Sequence, residues 1–184
     1  GFLFKYSSVT LDNCMFIGNS IENGSDSGDI ISLCSYSEPA SLENCTFYDN
    51  QILNYGGLIK VKCFPSSVSI SNNNFIETST NKVLSVEVST SVNAENNYWG
   101  VVTSGGIENL IYHYNDDITL GQVDYDPWLL TPSTTAPPIP AQNTTVTGTG
   151  NDFISLKWDT SPLGDLAGYK LYYDSDSSGY PYTN

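Results

Sequence analysis

Positive charge is what this sequence most lacks. It has no arginine and six lysines against twenty acidic residues, for a formal net charge of −14 over 184 residues. A nucleic-acid binder needs a basic patch to neutralise phosphates, and these lysines are too few and too scattered to make one. Long apolar runs are also missing. Nothing approaches ~18 consecutive apolar residues, so no segment reads as a membrane span. The opening residues, GFLFKYSS, have no basic stretch followed by a long apolar run, so no secretory signal is read there. Cysteine is sparse, at positions 14, 34, 45 and 63, and no pair has the C-x-x-C spacing of zinc or redox sites. Histidine occurs once, at His113, with no nucleophile motif near it, so no histidine-based triad can be assembled.

What is present is aromatic and small-polar. Thirteen Tyr, seven Phe and three Trp set the chain apart from a disordered acidic tail, and 24 Ser, 16 Thr and 18 Asn make up much of the rest. Four segments align without gaps: Val9 to Phe16 (VTLDNCMF), Ala40 to Phe47 (ASLENCTF), Val68 to Phe75 (VSISNNNF) and Val92 to Trp99 (VNAENNYW), offset by 31, 28 and 24 residues. Each alternates apolar and polar, the period of a strand, then places Asn fifth and an aromatic eighth. Between them recur Phe2-Leu-Phe4, Ile31-Ser-Leu33, Ile59-Lys-Val61 and Leu84-Ser-Val86, which put two apolar residues two apart.

Two strands per repeat and no helical pattern suit a solenoid in which like residues sit above like, ~4.8 Å apart. The competing reading is an antiparallel β-sandwich whose repeats match by accident. In a solenoid Asn13, Asn44, Asn72 and Asn96 would form a side-chain amide ladder, and Phe16, Phe47, Phe75 and Trp99 would stack in the same way. Cys14 and Cys45 share the sixth position, within disulfide reach of ~4.4–6.8 Å between Cα atoms. Cys34 and Cys63 lie near the ends of adjacent second strands, one position out of register, and are a second candidate pair. A buried thiol stack is the alternative for either pair.

The repeat resembles that of right-handed parallel β-helix proteins, the pectin-lyase-like superfamily. The resemblance covers residues 1–131 and is most specific at its end. There Asn96-Asn-Tyr-Trp-Gly100, Ile107 to Tyr114, Asn115-Asp-Asp117, Gly121-Gln-Val123 and Asp124 to Leu129 (DYDPWL) are similar to the closing segment of many microbial β-helix surface proteins. Residues 1–100 read as coils, with no cap before the first, so upstream coils or another molecule are expected to cover that end. Residues 101–131 read as the C-terminal cap. In the cap Ile107, Leu110, Ile111 and Tyr114 fall on one face of a short helix that would shield an open strand edge. His113 lies off that face and is expected in solvent.

Residues 132–142, with four prolines between Thr131 and Pro140, read as an extended spacer. Residues 143–184 then carry three alternating stretches, Asn143 to Thr147, Phe153 to Trp158 and Gly168 to Tyr173. They are similar to the first strands of a fibronectin type III domain, with Trp158 and Tyr169 to Tyr173 as core. The fold class expected is therefore all-β: a right-handed parallel β-helix with a short capping helix, then a partial fibronectin type III sandwich. Half a sandwich is not expected to be stable alone, so the chain reads as a fragment, or its missing strands come from a neighbouring copy.

Asp174, Asp176 and Ser178 match the opening of a D-x-D-x-S-G calcium loop, with a polar hairpin turn as the plainer reading. Calcium is the one cofactor the sequence suggests. Asn115 to Asp117 and Asp124 to Asp126 read as turn and cap residues. Asn23, Asn44 and Asn143 fit the N-glycosylation pattern, and Asn44 would be occupied in the ladder. The function expected is an extracellular structural or adhesive surface module whose partners are other copies, surface proteins or glycans. The alternative is the non-catalytic end of a polysaccharide lyase or glycoside hydrolase. The resemblance implies an arginine base for the lyases, and this chain has none. For the hydrolases it implies clustered outward aspartates, where this chain offers Asp12 stacked on Glu43, and Glu95.

Overall fold

A computed structural model describes residues 1–5, 7–21, 28–52, 57–164 and 166–173. The first coil runs through β1 (Phe2–Lys5), β2 (Val9–Asp12), β3 (Met15–Ile17) and β4 (Ser20–Ile21). The second repeats this order with β5 (Ile31–Cys34), β6 (Ala40–Glu43), β7 (Thr46–Tyr48) and β8 (Gln51–Ile52). The third has β9 (Gly57–Val61), β10 (Val68–Ser71) and β11 (Asn74–Ile76), and the fourth β12 (Lys82–Val86) and β13 (Val92–Asn93). The helix α1 (Ser104–Asn109) and the short strands β14 (Ile111–Tyr112) and β15 (Val123–Asp124) close the stack.

Every neighbouring pair in the stack is parallel. One five-stranded sheet runs β1-β5-β9-β12-β14, a second β2-β6-β10-β13-β15, and a three-stranded sheet β3-β7-β11 forms a third side. The register is the one the repeats predict: Val9, Ala40, Val68, Val92 and Val123 form one column. Phe2, Ile31, Ile59, Leu84 and Ile111 form another. This is a parallel β-solenoid, and the sandwich alternative is excluded for this part of the chain.

The segments read as one strand are bent in two. Asn13, Asn44, Asn72 and Asn96 each take a left-handed backbone, with φ of 55°, 49°, 57° and 59°. Asn tolerates that region better than other side-chain-bearing residues, so the fifth position turns the chain from the second sheet into the third. Beyond the turn the aromatics enter the core and stack. Ring centroids of Phe16 and Phe47 lie 4.7 Å apart, Phe47 and Phe75 5.2 Å, and Phe75 and Trp99 5.1 Å. Burying each such ring contributes roughly 1.5–3 kcal/mol. Phe47 and Phe75 are fully enclosed, whereas the first coil leaves Phe2, Leu3 and Met15 about half exposed.

The capping segment differs from the sequence expectation. Its helix starts earlier, at Ser104, and includes both glycines. Thr103 is the N-cap and accepts from the Gly106 N–H through its hydroxyl. The helix ends at Asn109, so Ile111 is not on a helix face: it joins the first sheet beside Leu84. An apolar spacing of three and four residues fits a helix but also fits a helix turn followed by a strand. His113 follows that strand and is 1% exposed, not solvated.

The chain divides into two compact units, Gly1–Pro138 and Ile139–Asn184. The proline-rich stretch expected as an extended spacer is, through Pro138, a strap on the third sheet. Ser133 N–H donates to Asn74 Oδ1 at 2.6 Å, Asn74 Nδ2 returns a bond to Ser133 O at 3.0 Å, and Thr46 Oγ1 donates to Pro137 O at 2.6 Å. These outward polar side chains are thereby buried. The second unit contains an antiparallel pair, β16 (Thr145–Thr149) and β17 (Ile154–Lys157). Trp158 packs edge-on to Tyr169 at 5.3 Å, but Gly168 to Tyr173 forms no strand, and Leu171, Tyr172 and Tyr173 are exposed. Among the described residues of this unit the sheet is this one small antiparallel pair. Among the described residues no helix is long and apolar enough to cross a membrane.

Candidate functional site

The outer face of the second sheet is set by alternation. Because Val9, Leu11 and their equivalents point inward, Thr10, Ser41, Ser69, Asn93 and Asp124 stand outward in one register column. Asp12, Glu43 and Ser71 form the next. Asp12 and Glu43 are therefore direct neighbours, and Asp12 accepts a bond from Asn44 Nδ2 at 2.8 Å. Glu95 lies past the paired end of its strand, where its N–H donates to Asn93 Oδ1. A groove of about 800 Å³ opens where β10, β13 and β15 begin, lined by Ser67, Thr90, Ser91, Asn93, Gln122 and Asp124. Hydroxyls, two amides and one carboxylate line it together with Val68 and Val92, so it offers both hydrogen bonds and apolar contact.

The amide ladder exists one position away from where the sequence placed it. The fifth-position asparagines use their backbone N–H groups coil to coil: Asn13 to Glu43 O, Asn44 to Ser71 O, Asn72 to Asn96 O. Their side chains leave the core, and that of Asn44 bonds Asp12 and receives Thr135 Oγ1. The internal ladder is the sixth position. Asn97 Oδ1 accepts from the Asn73 N–H at 2.9 Å, Asn73 Oδ1 from the Cys45 N–H at 2.8 Å, and Cys45 Sγ from the Cys14 N–H at 3.4 Å. The amides also donate to Leu42 O and Ile70 O across the coil. A second column repeats this with Asn50 and Asn19. The signal in the sequence was Cys, Cys, Asn, Asn at position six, which reads as mixed until the shared role is seen.

Cys34 and Cys63 form the disulfide, with Cα atoms 4.8 Å apart. The one-residue offset between them is absorbed by left-handed backbone at Cys63 and Phe64. Cys14 and Cys45 are both free thiols, the alternative to a bond between them. Burial, the largest effect, pushes the Cys45 thiol up to about 12, which makes it a packing and hydrogen-bonding group, not a nucleophile.

The cap holds the chain's histidine in a defined tautomer. Nδ1 accepts the Val123 N–H at 3.0 Å, so the ring proton lies on Nε2, which donates to Glu108 Oε1 at 2.8 Å. Glu108 also receives Asn115 Nδ2 at 2.7 Å. Burial pushes Glu108 up, but the bonds from Asn115, His113 and Tyr125 outweigh it and hold its carboxyl below the ordinary glutamate value. Tyr125 is held above the usual tyrosine range, first by burial and then by its bond to the Glu108 carboxylate. A cleft of about 420 Å³ opens beside this group, lined by Glu108, Asn115, Gln122, Asp124, Asp126 and Trp128.

Asp116 and Asp117 cap the turn after His113. Asp116 Oδ2 accepts the His113 N–H at 3.1 Å, and Asp117 accepts both the N–H and the hydroxyl of Thr119. Among the described residues no three His, Cys, Asp or Glu are grouped to hold a metal. Asp174, Asp176, Ser178 and Asn23 lie outside the described residues. Asn143 is exposed and gives its amide to Asp159 at 2.7 Å.

A charged group escaped the sequence reading. Lys60, 1% exposed, lies 3.1 Å from Asp29 Oδ1 and 3.1 Å from Glu87 Oε1, and Lys62 lies 3.2 Å from Asp29 Oδ2. The hint was Lys60 at the outward position of an otherwise apolar strand, where a solvated lysine is the ordinary reading. Compared with protein-family models, curated proteins and solved structures, the chain matches none.

Proposed function

We propose that this chain is part of an extracellular structural or adhesive surface module, a rigid solenoid that presents a flat polar face. The observation that carries the reading is the outward column Thr10, Ser41, Ser69, Asn93 and Asp124. It is a repeated, mostly uncharged hydrogen-bonding surface on a stack with a continuous apolar core, suited to holding a glycan or another surface protein by many small contacts. The Cys34–Cys63 disulfide supports an oxidising compartment. The finer family reading, a right-handed pectin-lyase-like β-helix followed by the start of a fibronectin type III domain, rests on the repeat and on the Trp158 and Tyr169 pattern. Calcium at Asp174, Asp176 and Ser178 remains part of the proposal.

A second reading draws on Asp12 beside Glu43: the non-catalytic end of a glycan-degrading enzyme. One experiment tests the adhesive reading. The purified chain is incubated with immobilised acidic and neutral polysaccharides, and both retention and chain cleavage are followed. Retention that weakens when Ser69 and Asn93 are both changed to Ala, without new chain ends, supports the adhesive module. New reducing or unsaturated ends overturn it.

A further inference from the structure

We propose that Lys60 and Asp29 condense to an intramolecular amide that joins the second and third coils covalently. The two side chains are each 2% exposed, and Lys60 Nζ lies 3.1 Å from Asp29 Oδ1. Glu87 Oε1 stands 3.1 Å from the same nitrogen, with its side chain 43% exposed. The opposite oxygen, Asp29 Oδ2, accepts the Ser32 hydroxyl at 2.8 Å and faces the Lys62 ammonium at 3.2 Å. The Gly57 N–H also points at Oδ1, at 3.4 Å. An amine, a carboxyl group, a proton acceptor and a charged clamp thus meet beside strands that pair in fixed register, with Ser32 opposite Lys60. Fixed proximity of this kind replaces a bimolecular encounter.

The step balances without a co-reactant. Lys60 passes one ammonium proton to Glu87, and the freed nitrogen pair attacks Asp29 Cγ to form the N–C bond. Charge gathers on Oδ2, where Ser32 and Lys62 stabilise it. Glu87 delivers its proton to Oδ1, a second proton follows from the nitrogen, and the Cγ–Oδ1 bond breaks to release water. The sum is ammonium plus carboxylate giving amide plus water, with Glu87 regenerated. Burial favours the product, because a buried ion pair carries a desolvation penalty that the neutral amide does not.

The test is the intact mass of the purified chain, taken on material whose disulfide is closed and that melts cooperatively. The expected mass is one water below that of the disulfide-bonded sequence. A proteolytic digest should yield one branched peptide joining the segments around Asp29 and Lys60. Lys60→Arg, which keeps the cation, should restore the missing water, and Glu87→Gln should leave a large fraction of chains unlinked. A full-mass, cooperatively melting wild-type chain overturns the proposal, as does a branch located at Lys62.

Discussion

His113 Nδ1 and the Val123 N–H form a buried hydrogen bond that ties the last strand of the second sheet to the cap. Replacing the ring with leucine fills the space but leaves that N–H without its partner and takes from the Glu108 carboxylate one of its three. The expected loss for His113→Leu is about 2–3 kcal/mol, read by chemical denaturation. Amide exchange at Val123 should rise more than at Val92 one coil away.

Glu108 gives the fold a defined acid sensitivity. Its folded value lies below the ordinary 4.5, so its contribution to stability is complete above that pH. It is lost as pH falls through the lower folded value. Glu108→Gln should therefore lower the melting temperature at neutral pH and flatten the stability curve below about pH 4.5. A variant whose acid limb is as steep as wild type would contradict this.

Positions that repeat are legible in the sequence even where their role is not, and most contacts made by residues that occur once are not. The register columns followed from alternation, and the Phe16–Phe47–Phe75–Trp99 stack from position eight. From the sequence the turn at Asn13, Asn44, Asn72 and Asn96 reads as a ladder because Asn serves both roles, and only φ separates them. His113 was misplaced because its environment is assembled from the α1 end, Asn115 and Val123, which no local pattern links. The Lys60 cluster joins three coils through single residues, so no spacing announces it.

Position six supplies a substitution rule. Cys45 accepts from Cys14 N–H in the place where Asn73 accepts from Cys45 N–H. Cys45→Asn should therefore keep stability within about 1 kcal/mol, its amide reaching Leu11 O as Asn73 reaches Leu42 O. Cys45→Ala should cost about 1–3 kcal/mol, because the Cys14 N–H loses its acceptor. In the wild type, Cys45 should resist alkylation until the chain unfolds, in line with its raised pKa.

The aromatic stack should weaken toward the first coil. Phe47→Ala removes a ring that is 0% exposed and should cost about 3–5 kcal/mol. Phe16→Ala, at a half-buried site in the first coil, should cost clearly less. Equal losses in parallel urea titrations would show that the first coil is as well packed as the second.

The Cys34–Cys63 bridge spans 29 residues, close to one repeat of the stack. Reducing it should cost about 3–4 kcal/mol in the chain-entropy account. Its larger consequence is topological. With both ends of one turn fastened, that turn is a closed covalent loop, and neither of the coils it joins can slide past the other by a residue or by a whole repeat. A stack of near-identical layers has many almost equivalent misalignments available to it, and this bond removes them between the second and third coils.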